Sequence, residues 1–147
     1  MREKMENKYD RLKLENQLCF PLYACSREVI KFYKPFLDEL DLTYTQYITM
    51  LALWEEDHQS VKELGRRLML DSGTLTPLLK KMEAKGIVNR QRSKLDERNL
   101  IVSLTAAGKA LREKAVTVPE RVVGCLRLEP EEAMELYRLL HKLMGDQ

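Results

Sequence analysis

Cysteine is the residue of this chain best suited to chemistry, and the cysteine positions narrow what that chemistry can be. Three are present, Cys19, Cys25 and Cys125, with no CxxC pair, and the two histidines, His58 and His141, are far apart in the sequence. This spacing does not match a zinc site, so we expect no bound metal. An odd number of thiols in a reducing compartment also argues against a fixed set of disulfides. The cysteines are therefore expected to be inert buried thiols or to include one reactive site.

A second group of residues is suited to binding nucleic acid. Short hydroxyl side chains at Ser72, Thr74 and Thr76 precede Lys80 and Lys81. At the N-terminus of a helix such hydroxyls can hydrogen-bond phosphates or base edges, while free backbone N–H groups point towards the anionic backbone. An ordinary Ser/Thr cap followed by an exposed helix would show the same pattern. The case for DNA therefore depends on the segment after this helix.

A β-hairpin with a basic tip is predicted directly after the hydroxyl-bearing helix. Two apolar runs, 87–90 and 100–104, flank a polar tip at 93–98. The carboxylate of Asp96 can hold the guanidinium of Arg98 extended for insertion into a narrow minor groove. A solvated tip with a surface ion pair worth about 0 to 1 kcal/mol is the alternative. The candidate DNA contacts in this hairpin are Arg90, Arg92, Asp96 and Arg98.

Apolar periodicity predicts the helices that must position these groups. Apolar residues repeat at helical spacing over 61–68, and the repeat resumes over 75–82 after a break at 70–73. Pro77 predicts that the second helix begins late, near Ser72, because proline is tolerated only close to a helix start. Two short helices joined by a tight turn and followed by a hairpin are the outline of a winged helix-turn-helix.

Further helices are predicted on both sides of this module. Residues 14–40 indicate a helix that is bent by Pro21 and Pro35 and ends near Lys34. The remaining helices are predicted from periodicity and capping residues. They are 46–55 with Thr43 or Thr45 as its cap, 105–125 with Thr105 as its cap, and 131–144 opened by Pro130.

These elements predict a mainly α-helical fold with a small β-hairpin wing, in one domain over 14–147. Residues 42–104 would form the winged helix-turn-helix module. Residues 14–40 and 105–145 would form a helical dimerisation region, since they exceed what the module needs for its own core and two half-sites require a two-fold partner. Residues 1–13 are a polar N-terminal extension.

Composition limits the class of protein. A chain of 147 residues with 44% hydrophobic residues is long enough for one domain with a core. The formal net charge of +2 is nearly neutral, so binding to nucleic acid would depend on local clusters of Lys and Arg. No apolar run approaches the roughly 20 residues of a membrane span, and no secretory signal is visible. We therefore expect a cytosolic protein.

Two motifs carry a resemblance to a known family. Residues 70–80, Leu-Asp-Ser-Gly-Thr-Leu-Thr-Pro-Leu-Leu-Lys, together with Asp-Glu-Arg at 96–98, resemble the MarR family of dimeric bacterial regulators. Residues 14–20, Leu-Glu-Asn-Gln-Leu-Cys-Phe, are similar to its organic-hydroperoxide-sensing branch, OhrR. The resemblance extends from about residue 14 to residue 144. It implies a homodimer of MarR-like architecture that occupies a palindromic operator in double-stranded DNA until an organic hydroperoxide oxidises Cys19.

The resemblance also implies roles for other residues. Tyr33 and Tyr44 match tyrosines that support the sensing thiolate, one or more of them from the other subunit, and Tyr23 lies nearby. Hydrogen bonds to a thiolate favour the charged form, which attacks peroxide to give a sulfenic acid. In two-cysteine members an intersubunit disulfide then forms, and Cys125 lies in the matching region. In one-cysteine members a small thiol captures the sulfenic acid of the residue that matches Cys19.

Other interpretations stay open from the sequence. Cys125 can be a small buried hydrophobe, and Cys25, about 240° around a helix from Cys19, favours a packing role. A MarR-like regulator controlled by a bound phenolic or anionic ligand, a thiol-dependent peroxidase and a purely structural winged module are the alternative functions. The basic helix and wing argue against a peroxidase, so we expect neither an enzyme nor a cofactor.

Overall fold

The structure is a computed structural model, and it describes residues 7–145. Residues 1–6 of the predicted extension and residues 146–147 of the predicted domain lie outside this range. Two short 3₁₀ helices, Asp10–Leu12 and Leu14–Asn16, precede the main elements. These are α1 Cys19–Asp38, α2 Tyr44–Glu55, β1 Gln59–Ser60, α3 Val61–Leu68, α4 Ser72–Ala84, β2 Val88–Arg92, β3 Leu100–Leu104, α5 Ala106–Ala115, α6 Val118–Val123 and α7 Pro130–Met144.

One small antiparallel sheet accompanies the helices. Strand β3 lies between β1 and β2, and the hairpin register pairs Val88 with Leu104 and Arg92 with Leu100. The predicted wing is therefore confirmed. Strand β1 was not predicted, because its two residues, Gln59 and Ser60, are too few to show an alternating pattern.

The helix-turn-helix pair is set by its caps. Ser60 and Glu63 form a capping box at the start of α3, and the Asp71 side chain accepts a hydrogen bond of 2.7 Å from the Thr74 N–H at the start of α4. Met69 adopts the left-handed conformation (φ 53°) that ends α3. Helix α4 begins at Ser72, as the position of Pro77 predicted.

The core lies beneath α4 and the wing. Helix α2 contributes the fully buried side chains of Met50 and Leu53, and Tyr47 is 2% exposed. Other elements bury Leu64 from α3, Leu75, Leu79 and Met82 from α4, and Val88 and Val102 from the sheet. Burial of these side chains removes one face of α4 from water and leaves the opposite face for other contacts.

The first long helix differs from the prediction at both ends. Residues 14–16 form a 3₁₀ turn, and α1 runs from Cys19 to Asp38 without ending near Lys34. Pro21 lies in the first turn, where no intrahelical donor is needed. Pro35 removes one bond in the interior. The helix nevertheless continues, because Leu37 beyond it is buried in the core at 2% exposure.

The predicted helix over 105–125 is two helices. Helix α5 ends at Ala115 and α6 begins at Val118. Pro119 cannot donate to the carbonyl four residues earlier and would clash with it in a continuous helix, so the chain restarts with this proline in the first turn of α6. The predicted caps at Thr105 and Thr43 are confirmed by bonds from the N–H groups of Gly108 and Gln46.

Large apolar side chains remain exposed mainly at the two ends of the described chain. Between residues 33 and 115 they are limited to Leu51, Met69 and Leu95. The remainder are Tyr9, Leu12, Leu14, Leu18, Phe20, Leu22, Tyr23, Ile30, Phe32, Val116, Val123, Leu128, Met134, Leu136, Tyr137, Leu139, Leu143 and Met144. Such a concentration of exposed apolar surface is typical of a protein–protein interface. Within residues 7–145, no helix combines the length and the apolar character needed to span a membrane.

The start of α5 gives a test of the fold. A Cβ at position 108 would lie 2.1 Å from the carbonyl oxygen of Ile87, and the Gly108 carbonyl also accepts a 2.8 Å hydrogen bond from the Trp54 indole. We expect Gly108→Ala to lower the free energy of unfolding by about 1–3 kcal/mol, since rigid backbone must move. Urea denaturation would measure this. Gly124→Ala is the control, because its Cβ would meet its nearest neighbour at 3.4 Å, an ordinary contact; equal losses in both variants would contradict the prediction.

Candidate nucleic-acid interface and cysteine sites

The front of α4 presents polar side chains away from the core. Ser72 and Thr74 are exposed and Thr76 is half-buried, while Lys80 and Lys81 are exposed further along the helix. The N-terminal turn also carries the positive end of the helix dipole. This surface can therefore accept an anionic backbone and present hydroxyl groups to base edges.

The wing tip is stabilised by hydrogen bonds among its own residues, and the Arg98 side chain extends from it. The Arg98 N–H donates a 3.0 Å bond to Asp96 Oδ1, and Arg98 Nε lies 3.5 Å from the same oxygen. The Arg92 guanidinium donates a 2.9 Å bond to the Glu97 carbonyl, which closes the tip. The Arg98 side chain is 93% exposed. An arginine on a fixed hairpin in this way is suited to a narrow minor groove.

Arg90, another predicted DNA contact, is placed differently from Arg92 and Arg98. Its side chain is 18% exposed and forms an ion pair with Glu83 of α4, with Nη2 3.1 Å from Oε1. Its backbone N–H donates a 3.0 Å bond to Oε2 of the same carboxylate. The hydrogen bond from the Arg90 side chain holds the pKa of Glu83 below its ordinary value. The guanidinium therefore lies between α4 and the wing.

Cys19 is the first residue of α1, and it is exposed in the protomer. Side-chain amides order the segment before it: Asn16 donates to the Asp10 carbonyl at 2.7 Å, and Gln17 donates to the Lys13 carbonyl at 2.8 Å. Tyr23 lies one helical turn after Cys19, and its hydroxyl accepts a 3.4 Å hydrogen bond from Arg27. Cys19 therefore lies at the positive end of the α1 dipole.

Tyr33 and Tyr44 are brought together with each other and with Tyr47, but not with Cys19 of the same chain. The ring centroids of Tyr33 and Tyr44 are 5.0 Å apart, and those of Tyr33 and Tyr47 are 5.7 Å apart. Along α1, Tyr33 lies about 21 Å from Cys19. The sequence does not distinguish Tyr47 from an ordinary core position of α2, because it shares the helical spacing of the neighbouring apolar residues.

Burial keeps this tyrosine cluster protonated. It raises the pKa of Tyr33 and Tyr44, with an added effect of Tyr44 on Tyr33, and it raises the pKa of Tyr47 to about 12. Protonated phenols remain hydrogen-bond donors at neutral pH. The cluster can therefore stabilise an anion that reaches it from outside the protomer.

Cys125 lies just after α6, and its thiol is 3.5 Å from the Arg121 carbonyl oxygen. Arg121 holds this part of the chain against α1 through two bonds of 2.9 and 3.1 Å to Glu39. Its guanidinium also lies 4.2 Å from the ring centre of Phe36. Cys25 is exposed in the protomer, and its packing role stays a prediction.

Comparison with known proteins agrees with this architecture. A model of the SarA/Rot transcriptional regulators matches residues 31–115. The organic hydroperoxide resistance transcriptional regulator of Bacillus subtilis (strain 168) is 51% identical over 140 residues, covering 95% of each chain. The structure of reduced AbfR bound to DNA matches with a TM-score of 0.79 and 40% identity, covering 95% of each chain.

A second state of AbfR, a protein of Staphylococcus epidermidis, is less similar in shape. Its disulfide-formed structure matches with a TM-score of 0.61 and 39% identity, covering 94% of this chain and 92% of that chain. These matches confirm the resemblance that the motifs at 14–20, 70–80 and 96–98 predicted. The chain belongs to the SarA/Rot family of transcriptional regulators, winged helix-turn-helix proteins of the MarR type, on the branch of the organic hydroperoxide resistance regulators.

Proposed function

We propose that this chain is a dimeric repressor that binds a palindromic operator and releases it when an organic hydroperoxide oxidises Cys19. One observation carries the proposal: the same chain joins a recognition helix and a projecting Arg98 to an exposed thiol at the start of α1. The names of the relatives support both peroxide sensing and DNA binding. One relative is an organic hydroperoxide resistance regulator, and the other, AbfR, has been seen reduced and bound to DNA.

The DNA would be read by α4 and the wing together. Helix α4 would enter the major groove, with the hydroxyls of Ser72, Thr74 and Thr76 on base edges or phosphates. Lys80 and Lys81 would contact phosphates along the groove wall. On the wing, Arg98 would enter the adjacent minor groove with Asp96 as its support, and Arg92 would remain near the backbone. Arg90 would support this surface from beneath the wing, where it pairs with Glu83.

The dimer would be built from the two ends of the chain. We assign 14–40 and 105–145 to dimerisation and 42–104 to DNA binding within one domain over 14–147. The exposed apolar side chains at these ends support the assignment, because the protomer alone leaves them in water. A two-fold dimer would present two α4 helices to successive half-sites of the operator.

The signal would be a single oxidation at Cys19. The thiolate attacks one peroxide oxygen, the O–O bond breaks, the alkoxide takes up a proton to leave as an alcohol, and the sulfur becomes a sulfenic acid. Tyr33 and Tyr44 of the partner subunit would donate hydrogen bonds to the thiolate, with Tyr23 nearby on α1. The partner subunit is required for Tyr33 and Tyr44, since each lies far from Cys19 of its own chain.

Cys125 would complete the reaction. The sulfenic acid of Cys19 and the thiol of Cys125 in the partner subunit would condense to a disulfide and water. The existence of a disulfide-formed AbfR supports a two-cysteine mechanism. Because each subunit is oxidised once and is not regenerated by the same step, the protein would act as a sensor and not as an enzyme. Its place would be the cytoplasm, where its operator lies.

The sensor role predicts the behaviour of Cys19→Ser. The variant should bind a palindromic duplex, selected by the wild-type protein from a random pool, as tightly as the reduced wild type does. It should stay bound when cumene hydroperoxide is added, because no sulfenic acid can form. Fluorescence anisotropy with labelled duplex measures both states. Cys25→Ser is the matched control and should release DNA normally; release by Cys19→Ser would refute the sensor role.

The resolving role predicts a covalent dimer. After one equivalent of organic hydroperoxide, wild-type protein should run as a cross-linked dimer without reductant, and mass spectrometry should identify a peptide joining Cys19 to Cys125. Cys125→Ser should remain monomeric on the same gel while Cys19 is still oxidised. A mixed disulfide with a small thiol in the wild type, or a cross-link through Cys25, would contradict the assignment.

The exposed Arg98 of the wing leads to a prediction: its removal should lower the affinity for DNA whatever the DNA sequence. Arg98→Ala should weaken operator binding by about 1–3 kcal/mol and lower the slope of log K against log salt by about 1, because one cation no longer displaces a counterion. Arg11→Ala removes the same charge from the 3₁₀ helix Asp10–Leu12, outside the proposed DNA-binding and dimerisation regions, and is the control. Unchanged affinity for Arg98→Ala at moderate salt would remove the wing from the interface.

A further inference from the structure

Glu83 and Arg90 connect two elements that would read different grooves. Glu83 is on α4, and Arg90 is on strand β2 of the wing. One carboxylate accepts the Arg90 backbone N–H through Oε2 at 3.0 Å and its guanidinium through Oε1 at 3.1 Å. A carboxylate that holds both a backbone group and a side chain fixes position as well as charge.

The pair spans the hinge of the wing. The connection from α4 to β2 contains Gly86 in a left-handed conformation (φ 75°), and the Gly86 carbonyl accepts a 2.6 Å bond from the Thr105 hydroxyl. This short turn sets where the wing leaves the helix. The Glu83–Arg90 pair joins the two elements across the turn and so fixes the angle between them.

The burial of Arg90 argues against a role on the DNA surface. The side chain is 18% exposed, and its Nε is buried with no hydrogen-bond partner in the part of the chain that the structure describes. To reach a phosphate, the guanidinium would have to leave Glu83 and give up a partly buried ion pair, which is costly. Arg92 and Arg98, by contrast, are exposed.

We propose that Glu83 and Arg90 form a clamp that sets the angle of the wing to the recognition helix, and that both are positioning residues for operator binding. This inference rests on the proposed DNA-binding function. Strand β2 ends at Arg92, and the turn that follows places the wing tip at Asp96 at most about 20 Å from Arg90. A rotation of about 10° at the clamp would therefore move the tip by up to about 3 Å, enough to withdraw Arg98 from a groove about 6 Å wide.

Arg90 could act as part of a clamp or as a direct phosphate contact. The two roles predict opposite effects of the Glu83→Gln substitution on operator affinity. If the carboxylate had no structural role, Glu83→Gln would remove a negative charge near DNA, and binding would tighten. With the clamp, Glu83→Gln leaves one acceptor oxygen for two donors, the Arg90 backbone N–H and its guanidinium. The wing then loses its angle, and operator binding weakens by about tenfold. The sign of the change thus separates the two cases.

The experiment measures binding of the intact reduced protein to the selected palindromic duplex and to a random duplex across a salt series. The variants are Glu83→Gln, Arg90→Ala, Arg98→Ala and the double variant Glu83→Gln/Arg98→Ala. Glu83→Gln and Arg90→Ala should both lose about tenfold on the operator, and both should lower the salt slope by about 1, as Arg98→Ala does, because the wing no longer holds Arg98 in the groove. In the Arg98→Ala background, Glu83→Gln should cost less than about twofold, because the side chain that the clamp positions is gone.

Glu55→Gln is the matched control. It removes the carboxylate of another ion pair, at 2.5 Å from Arg67 and joining α2 to α3, without touching the wing. It should bind the operator as wild type does. A general loss of folding would instead weaken Glu83→Gln equally with and without Arg98, so that additivity overturns the clamp.

The remaining outcomes are also decisive. Tighter or unchanged binding by Glu83→Gln would show that this carboxylate does not position the wing, and it would overturn the clamp while the proposed function stands. Failure of the wild-type protein to bind any duplex would overturn both.

Discussion

The burial of one apolar face of α4 against α2 is the constraint on which the rest of this structure depends. Leu75, Leu79 and Met82 are almost completely removed from water, and Met50 and Leu53 of α2 are equally buried. Because interiors are close-packed, a helix held along one face cannot rotate without opening cavities that cost several kcal/mol. The exposed face of α4, with its hydroxyls and lysines, is therefore set by residues that never leave the core.

The same packing gives the proposed sensor a physical route to the DNA surface. Tyr44 opens α2, and Tyr33 packs on it from α1. A partner thiolate bound by these hydroxyls would act on the first turn of the helix that supports α4. Oxidation would replace an anion that accepts hydrogen bonds with a neutral group or a disulfide, and the packed core would transmit the resulting shift of α2 as a shift of α4. The lower TM-score of the disulfide-formed AbfR, compared with reduced AbfR on DNA, is consistent with a change of shape of this kind.

Much of the fold could be predicted because its signals are local. The α3–α4 pair and the hairpin are predicted by periodicity and turn residues, and the caps at Thr43 and Thr105 by single side chains. The end of α1 could not be predicted, because the cost of Pro35 is outweighed by burial of Leu37, and burial depends on the tertiary fold. The candidate site likewise contains residues that local sequence signals predict and residues that they do not. Arg98 and Asp96 are recognisable as a tip, whereas no local signal distinguishes Arg90 from an exposed arginine, because its partner Glu83 lies on a different element.

One protomer contains the whole of the proposed DNA-reading surface but only part of the proposed sensing site. Helix α4 and the wing are fixed by contacts within one chain, but Cys19 is exposed, and its backbone lies about 21 Å along α1 from that of Tyr33, whose hydroxyl in the partner would stabilise the thiolate. The apolar side chains around Cys19, including Leu18, Phe20 and Leu22, are exposed as well. Dimerisation that covered them would bring apolar side chains, protonated phenols and a thiol together in one site. Such a site would favour organic peroxides over hydrogen peroxide, because an organic substituent buries apolar surface there. The same apolar residues would then form the dimer interface and select the peroxide, so the sensing site would exist only in the assembled dimer.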